Sequence, residues 1–441
     1  MTASSLVAKL NAVQARVPRG MKLGLDRLEL ALEAIGSPHV GLRAVHIAGS
    51  NGKGSTSAMV ESIARAAGLR TGLYTSPHLS RFAERIRLGG EPIDDVSFER
   101  SLGAILDHCP PDLTFFETLT VAAFHAFREA RVQLAVIEVG LGGRLDATNV
   151  IPAPLATAVT SISLEHTAIL GDTIDLIARE KAGIFKPSAP VVLGPLAPEA
   201  DRAVTEVAER VSAGPITRVQ RDGAWTPGVI RARWEDGVTD LHGPTDADRF
   251  HGPLALRGRH QAENAGVALG IARCLAAHHL LLDPLGAAFA GLTTARWPGR
   301  YERILLDDPG VTVILDGAHN PEGALTLRDL VAAENPSGDP SRRALVFGAL
   351  ADKRWPEMLG PLAPLCARRY YTEPKGRPPA ALADLRALAP GEALAEPRAA
   401  IDRAVAESRP GDTVLVAGSI YLVGEIRAHL LGIEADPVIA L

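Results

Sequence analysis

The chain is poor in cysteine, in aromatic rings and in excess charge of either sign. Its 441 residues include 3 cysteines. Cys109, Cys274 and Cys366 stand far apart, with no CxxC pair, which excludes a disulfide-stapled domain and fits a reducing compartment. Only 4 Trp, 5 Tyr and 10 Phe are present, and 46 Lys and Arg face 51 Asp and Glu, for a formal net charge of −5. Tracking a nucleic acid calls for a basic groove and stacking rings, so that class is excluded and small molecules are the expected partners. No run of ~18 apolar residues occurs, so no membrane span is expected. The opening segment MTASSLVAKLNAVQARVPRG lacks the apolar stretch of a signal peptide, and a soluble cytoplasmic protein is the expectation. What is abundant is core material: the 46% hydrophobic content excludes a disordered chain. At ~150 residues per domain the length predicts two or three domains.

Apolar runs alternate with helix-period segments. Val45 to Ala48, Leu69 to Thr75, Val132 to Val139 and Leu155 to Ile162 read as strands, the third nearly continuous in apolar residues, as a sheet covered on both faces requires. Ser55 to Ala67 reads as a helix with Met59, Val60, Ile63, Ala64 and Ala67 on one face. Phe116 to Arg128, Ile174 to Gly183 and His260 to Ala277 also read as helices. Residues 191–257 read as a helix plus antiparallel strands at the domain's edge. The helical period stops near Pro298 and Gly299, and a second α/β series follows, with strands at 311–315, 344–347, 368–372 and 413–417. The fold class is therefore α/β: a doubly wound, mostly parallel sheet domain over 1–295, and a smaller Rossmann-like α/β domain over 296–441.

The strongest motif is HIAGSNGKGST, His46 to Thr56, set between strand and helix as a phosphate loop requires. Gly49, Gly52 and Gly54 allow a tight turn whose N–H groups approach an anion, and the helix dipole adds to it. Lys53 can reach the β/γ-phosphates, and Ser55 or Thr56 can offer a hydroxyl to phosphate or Mg²⁺. Ile47 and Gly54 break the strict Walker spacing. No Asn-Lys-x-Asp element reads guanine, so ATP is the expected nucleotide.

Ligands in open parallel sheets bind beyond the carboxyl ends of the strands. Those ends carry Ser76 in YTSPHL, Glu138 and Asp146 in EVGLGGRLD, and Glu165-His166. Glu138 closing an apolar strand calls for a cation, and beside a phosphate loop that is Mg²⁺ or, alternatively, the Arg144 guanidinium. His166 reads equally as a cap or core histidine. Lys181, taken alone, reads as a solvated lysine. In the second series the strand before Asp316 ends in Asp316-Gly317-Ala318-His319-Asn320, with Arg300 upstream, where an ordinary strand-end turn is the alternative.

Together these segments resemble the folylpolyglutamate synthase/dihydrofolate synthase family of Mur-type ligases over nearly the whole chain. The resemblance runs through LGLDR, HIAGSNGKGST, YTSPHL, FFETLT, EVGLGGRLDATN, SLEHTAILGDT, REKAGIFK, the helix with Asn264, PGR, LDGAHNP and GALADKR. EVGLGGRLDATN and REKAGI carry the specificity. It implies an ATPase domain, a C-terminal α/β domain, and ATP-driven joining of L-glutamate to 7,8-dihydropteroate, to reduced folates, or to both, with folate polyglutamylation alone as the alternative. A peptidoglycan-precursor ligase and a nucleotide-dependent switch are the more distant readings. The first would need a UDP-binding domain where only the residues before His46 are present, and the second would need neither Lys181 nor His319.

By the same resemblance, Asn51, Gly52, Lys53, Gly54, Ser55 and Thr56 bind ATP phosphates, and Asn264, Arg300 and Asp316 contact the nucleotide. Ser76, Glu138 and His166 resemble Mg²⁺ ligands. Lys181 matches a lysine carbamylated by CO₂ that helps place a second metal. His319 resembles a residue near the incoming glutamate. Leu25, Asp26, Phe116 and Asp146 fall in segments resembling the pterin-side pocket. A monomer is expected to suffice. Ser50 in place of Thr, Glu165 in place of Asp, and Lys22 before LGLDR depart from the family's usual pattern.

Overall fold

The structure, a computed structural model, describes residues 3–16, 24–221, 229–243, 249–334 and 338–436; Lys22 lies outside them. The chain forms two compact units. The first takes the residues up to Pro77, Ala83–Ala255 and Arg259–Arg296, and the second takes His78–Phe82, Leu256–Gly258 and the chain from Trp297 onward.

In the first unit the strands are β1 (Ala44–Ala48), β2 (Thr71–Tyr74), β3 (Ile86–Leu88), β4 (Glu91–Pro92), β5 (Leu134–Glu138), β6 (Ala156–Val159), β7 (Val191–Leu193), β8 (Ile216–Gln220), β9 (Val229–Glu235), β10 (Val238–His242) and β11 (Arg249–Gly252). Among the described residues they form one sheet in the order β11-β10-β9-β8-β7-β6-β1-β5-β2-β3-β4. From β2 through β9 every neighbour is parallel. Only the two margins turn antiparallel, through β3 and β4 on one side and β10 and β11 on the other. The antiparallel edge expected over 191–257 is thus confined to its end. The helix Pro198–Arg210 supplies the crossover that lets β7 and β8 continue the parallel sheet. Every residue of β1 and β5 is buried, as a sheet covered on both faces requires, the polar His46 and Glu138 included.

The topology places a crevice where ligands collect. β1 has β5 on one side and β6 on the other, so the connections leave in opposite directions beyond its carboxyl end. The helix Lys53–Ala66 starts there. It is buried on all sides from Ser55 to Ala64 rather than along one stripe, because the helices Arg259–Ala277 and Pro284–Thr294 pack against it. Ala67, expected on its apolar face, is exposed beyond its end.

In the second unit β12 (Glu302–Leu306), β13 (Val311–Leu315), β14 (Arg343–Phe347), β15 (Arg368–Tyr371), β16 (Glu392–Ala393) and β17 (Thr413–Ala417) run in the order β12-β13-β17-β14-β15-β16. All pairs are parallel except β12 with β13. β12 was not legible because its residues alternate half-buried and exposed, the signature of an edge rather than of a covered strand. Val313, Leu315, Val346, Val414 and Val416 share a core with Ile401, Leu422 and Ile426 from the helices Pro397–Ala406 and Ile420–Leu431.

Candidate active site

The phosphate loop is shaped by two glycines in conformations that other residues avoid. Gly49 has φ +150° and Gly52 φ +87°. A Cβ on Gly49 would stand 2.0 Å from Thr160 Oγ1, and one on Gly52 2.3 Å from Asn264 Oδ1. The helix begins at Lys53, so Gly54 lies within its first turn rather than in the loop. The loop is stapled to the segment after β6. Ser50 N–H donates to Ser161 O at 2.8 Å, Asn51 N–H to Ser161 Oγ at 2.9 Å, and Thr160 Oγ1 to Asn51 O at 2.7 Å. Lys53 Nζ folds back onto its own loop, donating to Gly49 O at 2.8 Å and Ser50 O at 3.1 Å. The loop fits a polyphosphate: a glycine cradle, a helix N-terminus, an ammonium that donates to loop carbonyls, and a buried Thr56 hydroxyl that has no hydrogen-bond partner among the described residues.

Lys181 is not the solvated lysine its sequence context suggests. It is 2% exposed, on the helix Ile174–Ala182, with Nζ 2.7 Å from Glu165 Oε1 and 3.0 Å from Gly49 O. Burial lowers its pKa to about 8, against the pull of Glu165 and with help from Lys53. Burial alone would raise Glu165, yet the charges of Lys53, Lys181 and His166 and the Lys181 hydrogen bond hold it down at about 2. Lys53, Glu165, His166 and Lys181 therefore form one charge cluster beside the loop. His166 is itself exposed, with φ +47° at the start of the short helix Thr167–Leu170.

Glu138, 4% exposed, accepts the Ser76 N–H at 3.2 Å on Oε2. The alternative partner is taken elsewhere: Arg144 pairs with Glu180 at 2.9 Å. Among the described residues no three His, Cys, Asp or Glu side chains are gathered closely enough to hold a metal by themselves. A carboxylate and a hydroxyl that leave other positions to phosphate oxygens and water suit Mg²⁺, which keeps much of its shell in such sites.

Two of the substrate-side candidates, Phe116 and Asp146, lie at the turn after β5. A Cβ on Gly140 would lie 2.4 Å from Phe116 Cζ, so that ring rests on the turn, 6.0 Å between centroids from Tyr74. Asp146 is buried, and burial raises its pKa against the hydrogen bonds it accepts. Its Oδ2 takes Leu141 N–H at 2.8 Å, and its Oδ1 takes Thr148 N–H at 3.0 Å and Thr148 Oγ1–H at 2.5 Å. Leu25 and Asp26 open the helix Asp26–Ala34. The next residue, Arg27, donates to Glu117 Oε1 at 2.9 Å. Glu117 also closes the capping box with Thr114 at the start of the helix Phe115–Glu129, so the two segments are tied together.

In the second unit Arg300, Asp316 and His319 gather at the carboxyl end of β13. Burial raises Asp316, opposed first by Arg300, and its oxygens accept Tyr301 N–H and Ala318 N–H, each at 2.9 Å. His319 Nδ1 lies 2.8 Å from Gly317 O. A carbonyl only accepts, so Nδ1 carries a proton.

Gln261 escaped the reading of the sequence. It is 2% exposed, its Nε2 donates to Ser55 Oγ at 3.3 Å, and its Oε1 accepts Asn264 Nδ2 at 3.0 Å. Its place three residues before Asn264, on the same helix face, was the available signal. His46 and Thr148 also went unnoticed; they stand 2.7 Å apart, Nε2 to Oγ1, although far apart in sequence.

Two family descriptions match the chain: "Mur ligase middle domain" over residues 47–272 and "Mur ligase, glutamate ligase domain" over residues 299–420. A Haloferax volcanii protein named "Probable bifunctional folylpolyglutamate synthase/dihydropteroate synthase" is 37% identical over 92% of this chain and 48% of its own length. The chain thus spans about half the length of the haloarchaeal relatives it matches. A Bacillus subtilis relative named dihydrofolate synthase/folylpolyglutamate synthase is 32% identical, with 95% of this chain and 97% of the relative covered. The solved structure of Escherichia coli FolC in complex with DHPP and ADP superposes with a TM-score of 0.83 at 30% identity, covering 98% of both chains. The chain belongs to the folylpolyglutamate synthase/dihydrofolate synthase family of Mur-type ligases.

Proposed function

We propose that the protein is an ATP-dependent ligase that joins L-glutamate to the carboxylate of 7,8-dihydropteroate and of reduced folates. The observation that carries this reading is that Lys53 and Lys181 both donate to the glycine cradle at the sheet's switch point, with Ser55 in the first turn of the helix it feeds and Glu138 on the neighbouring strand beside Ile47, in a chain of this family. A carboxylate oxygen of the acceptor attacks the γ-phosphorus of ATP, ADP leaves, and an acyl phosphate forms. The amine of glutamate then attacks the acyl carbon, phosphate departs with the bridging oxygen, and the amine's proton is lost.

Lys53 releases the loop carbonyls and turns to the β/γ-phosphates, where the loop N–H groups and the helix N-terminus share the charge. Gln261 holds Ser55 and Asn264 for the same nucleotide, and Asn51, Gly52, Gly54 and Thr56 complete its cradle. Arg300 and Asp316 are assigned to the nucleotide as well, and His319 to the incoming glutamate. Leu25, Asp26, Phe116 and Asp146 are assigned to the pterin end. A divalent cation, Mg²⁺, supplies neutralisation of the phosphate oxygens when bound; Ser76, Glu138 and His166 would hold it, and a carbamylated Lys181 a second one. A buried lysine with a lowered pKa has the neutral amine that adds CO₂. Incubation with ATP, Mg²⁺ and L-glutamate, with 7,8-dihydropteroate or a reduced folate as sole acceptor, is expected to yield a product one glutamyl residue heavier in each case by mass spectrometry. Absence of both products would overturn the reading, and product from the folate alone would restrict it to polyglutamylation.

A further inference from the structure

Behind Asp146 stand two buried residues, Thr148 and His46, joined to it by a chain of hydrogen bonds and given no part in the reaction as derived above. His46 lies on β1 three residues before Gly49, paired with Ile137 of β5 and Thr157 of β6, and is 0% exposed. Thr148 Oγ1 has a single hydrogen, and its 2.5 Å contact with Asp146 Oδ1 uses it, since a carboxylate only accepts. The 2.7 Å contact with His46 Nε2 must then be donated by the imidazole. The proton sits on Nε2, and Nδ1 is bare; it is buried without a hydrogen-bond partner among the described residues. Burial first, and Lys186 second, hold the ring's pKa down at about 3, so it stays neutral and keeps this direction. The chain therefore runs one way: imidazole to hydroxyl to carboxylate.

Its effect falls on one oxygen. Oδ1 of Asp146 receives both the N–H and the hydroxyl of Thr148, which fills its two lone pairs. Oδ2 already accepts Leu141 N–H at 2.8 Å, so the acceptor position left on the carboxylate is the second lone pair of Oδ2. We propose that His46 and Thr148 are positioning residues for the pterin acceptor: anchored on the strand that feeds the phosphate loop, they orient Asp146 so that Oδ2 faces the donor N–H edge of the pterin ring. The proposal rests on the assignment of Asp146 to the pterin end.

The test is steady-state kinetics of the full chain with each substrate varied in turn. Thr148→Val keeps the shape and removes the hydroxyl; it is expected to raise KM for 7,8-dihydropteroate about tenfold, the scale of one hydrogen bond to a charged group, while KM for ATP and for glutamate stays within about twofold. Thr148→Ser restores the hydroxyl and is expected to return acceptor KM to within about threefold of the wild type. If Thr148→Val does not fold, the same contrast is read between His46→Leu, which removes the donor, and His46→Gln, which replaces it. An unchanged acceptor KM, or a rise shared equally by all three substrates, would overturn the proposal. Asp146→Asn separates the failures. If it leaves acceptor KM untouched, the pterin-end assignment falls and the proposal with it. If it raises acceptor KM while Thr148→Val does not, the hydrogen-bond chain alone falls.

Discussion

Lys181 is held where keeping its proton is costly. Its ammonium is buried, with Glu165 and one carbonyl as company, and its pKa drops from 10.5 to about 8. The sign of the consequence is fixed by linkage. Between pH 8 and 10.5 the unfolded chain holds a proton that the folded protein has released, so stability rises with pH across that window. Urea denaturation from pH 7.5 to 10.5 should show the wild type gaining stability relative to Lys181→Met as pH rises; parallel curves would contradict the depressed pKa. Lys53→Ala removes the mobile cation of the loop and should lower kcat by at least about a hundredfold, the scale of losing one preorganised charge-stabilising group, with folding intact by circular dichroism. Gln261→Leu removes two hydrogen bonds that fix Ser55 and Asn264 and should raise KM for ATP about fivefold, leaving KM for glutamate unchanged. Residue identity made Lys53 legible, since a lysine in a glycine turn before a helix has few other uses. Lys181 was not legible on its own, because nothing local in REKAGIFK reveals that the carbonyl of Gly49 and the carboxylate of Glu165 close over it.

Among the elements, the helix Lys53–Ala66 carries the site and has no solvent face until its last turn. Its neighbour Pro284–Thr294 approaches so closely that a Cβ on Gly291 would sit 2.5 Å from the backbone of Ile63, and Ser62 Oγ donates to Gly291 O at 2.9 Å. Gly291→Ala should therefore force the two helices apart and destabilise the protein by about 1–3 kcal/mol, read as a lower urea midpoint with an unchanged m-value. The same element shows where sequence patterning succeeds and fails. The parallel strands β1 and β5 were plain from their largely apolar runs. The helix between them looked one-sided because Ser55, Ser57 and Ser62 read as polar, whereas in the fold they are small residues that permit close packing. The edge strands β12 and β16 are short or half exposed, and their identity is decided by neighbours distant in sequence.

At the scale of the molecule, each of the two α/β units gathers polar residues by the carboxyl ends of its parallel strands: Lys53, Glu138 and Lys181 in the first, Arg300, Asp316 and His319 in the second. Position at or just beyond a strand's carboxyl end singles out Lys53, Glu138, Asp316 and His319 in the sequence, because strand ends are where open parallel sheets bind ligands, whereas Lys181 enters only through the family resemblance. The bonds that orient those groups were invisible, since His46 with Thr148 and Gln261 with Ser55 are pairings across 102 and 206 positions. The second unit also takes in His78–Phe82 and Leu256–Gly258, excursions that no shift in composition marks. The claim on which the functional account depends is that the acceptor's own carboxylate takes the γ-phosphoryl group. The direct measurement uses 7,8-dihydropteroate labelled with ¹⁸O in its carboxylate, with ATP, Mg²⁺ and L-glutamate. The account predicts that one ¹⁸O appears in each phosphate released as the amide forms; unlabelled phosphate accompanying full amide formation would contradict it.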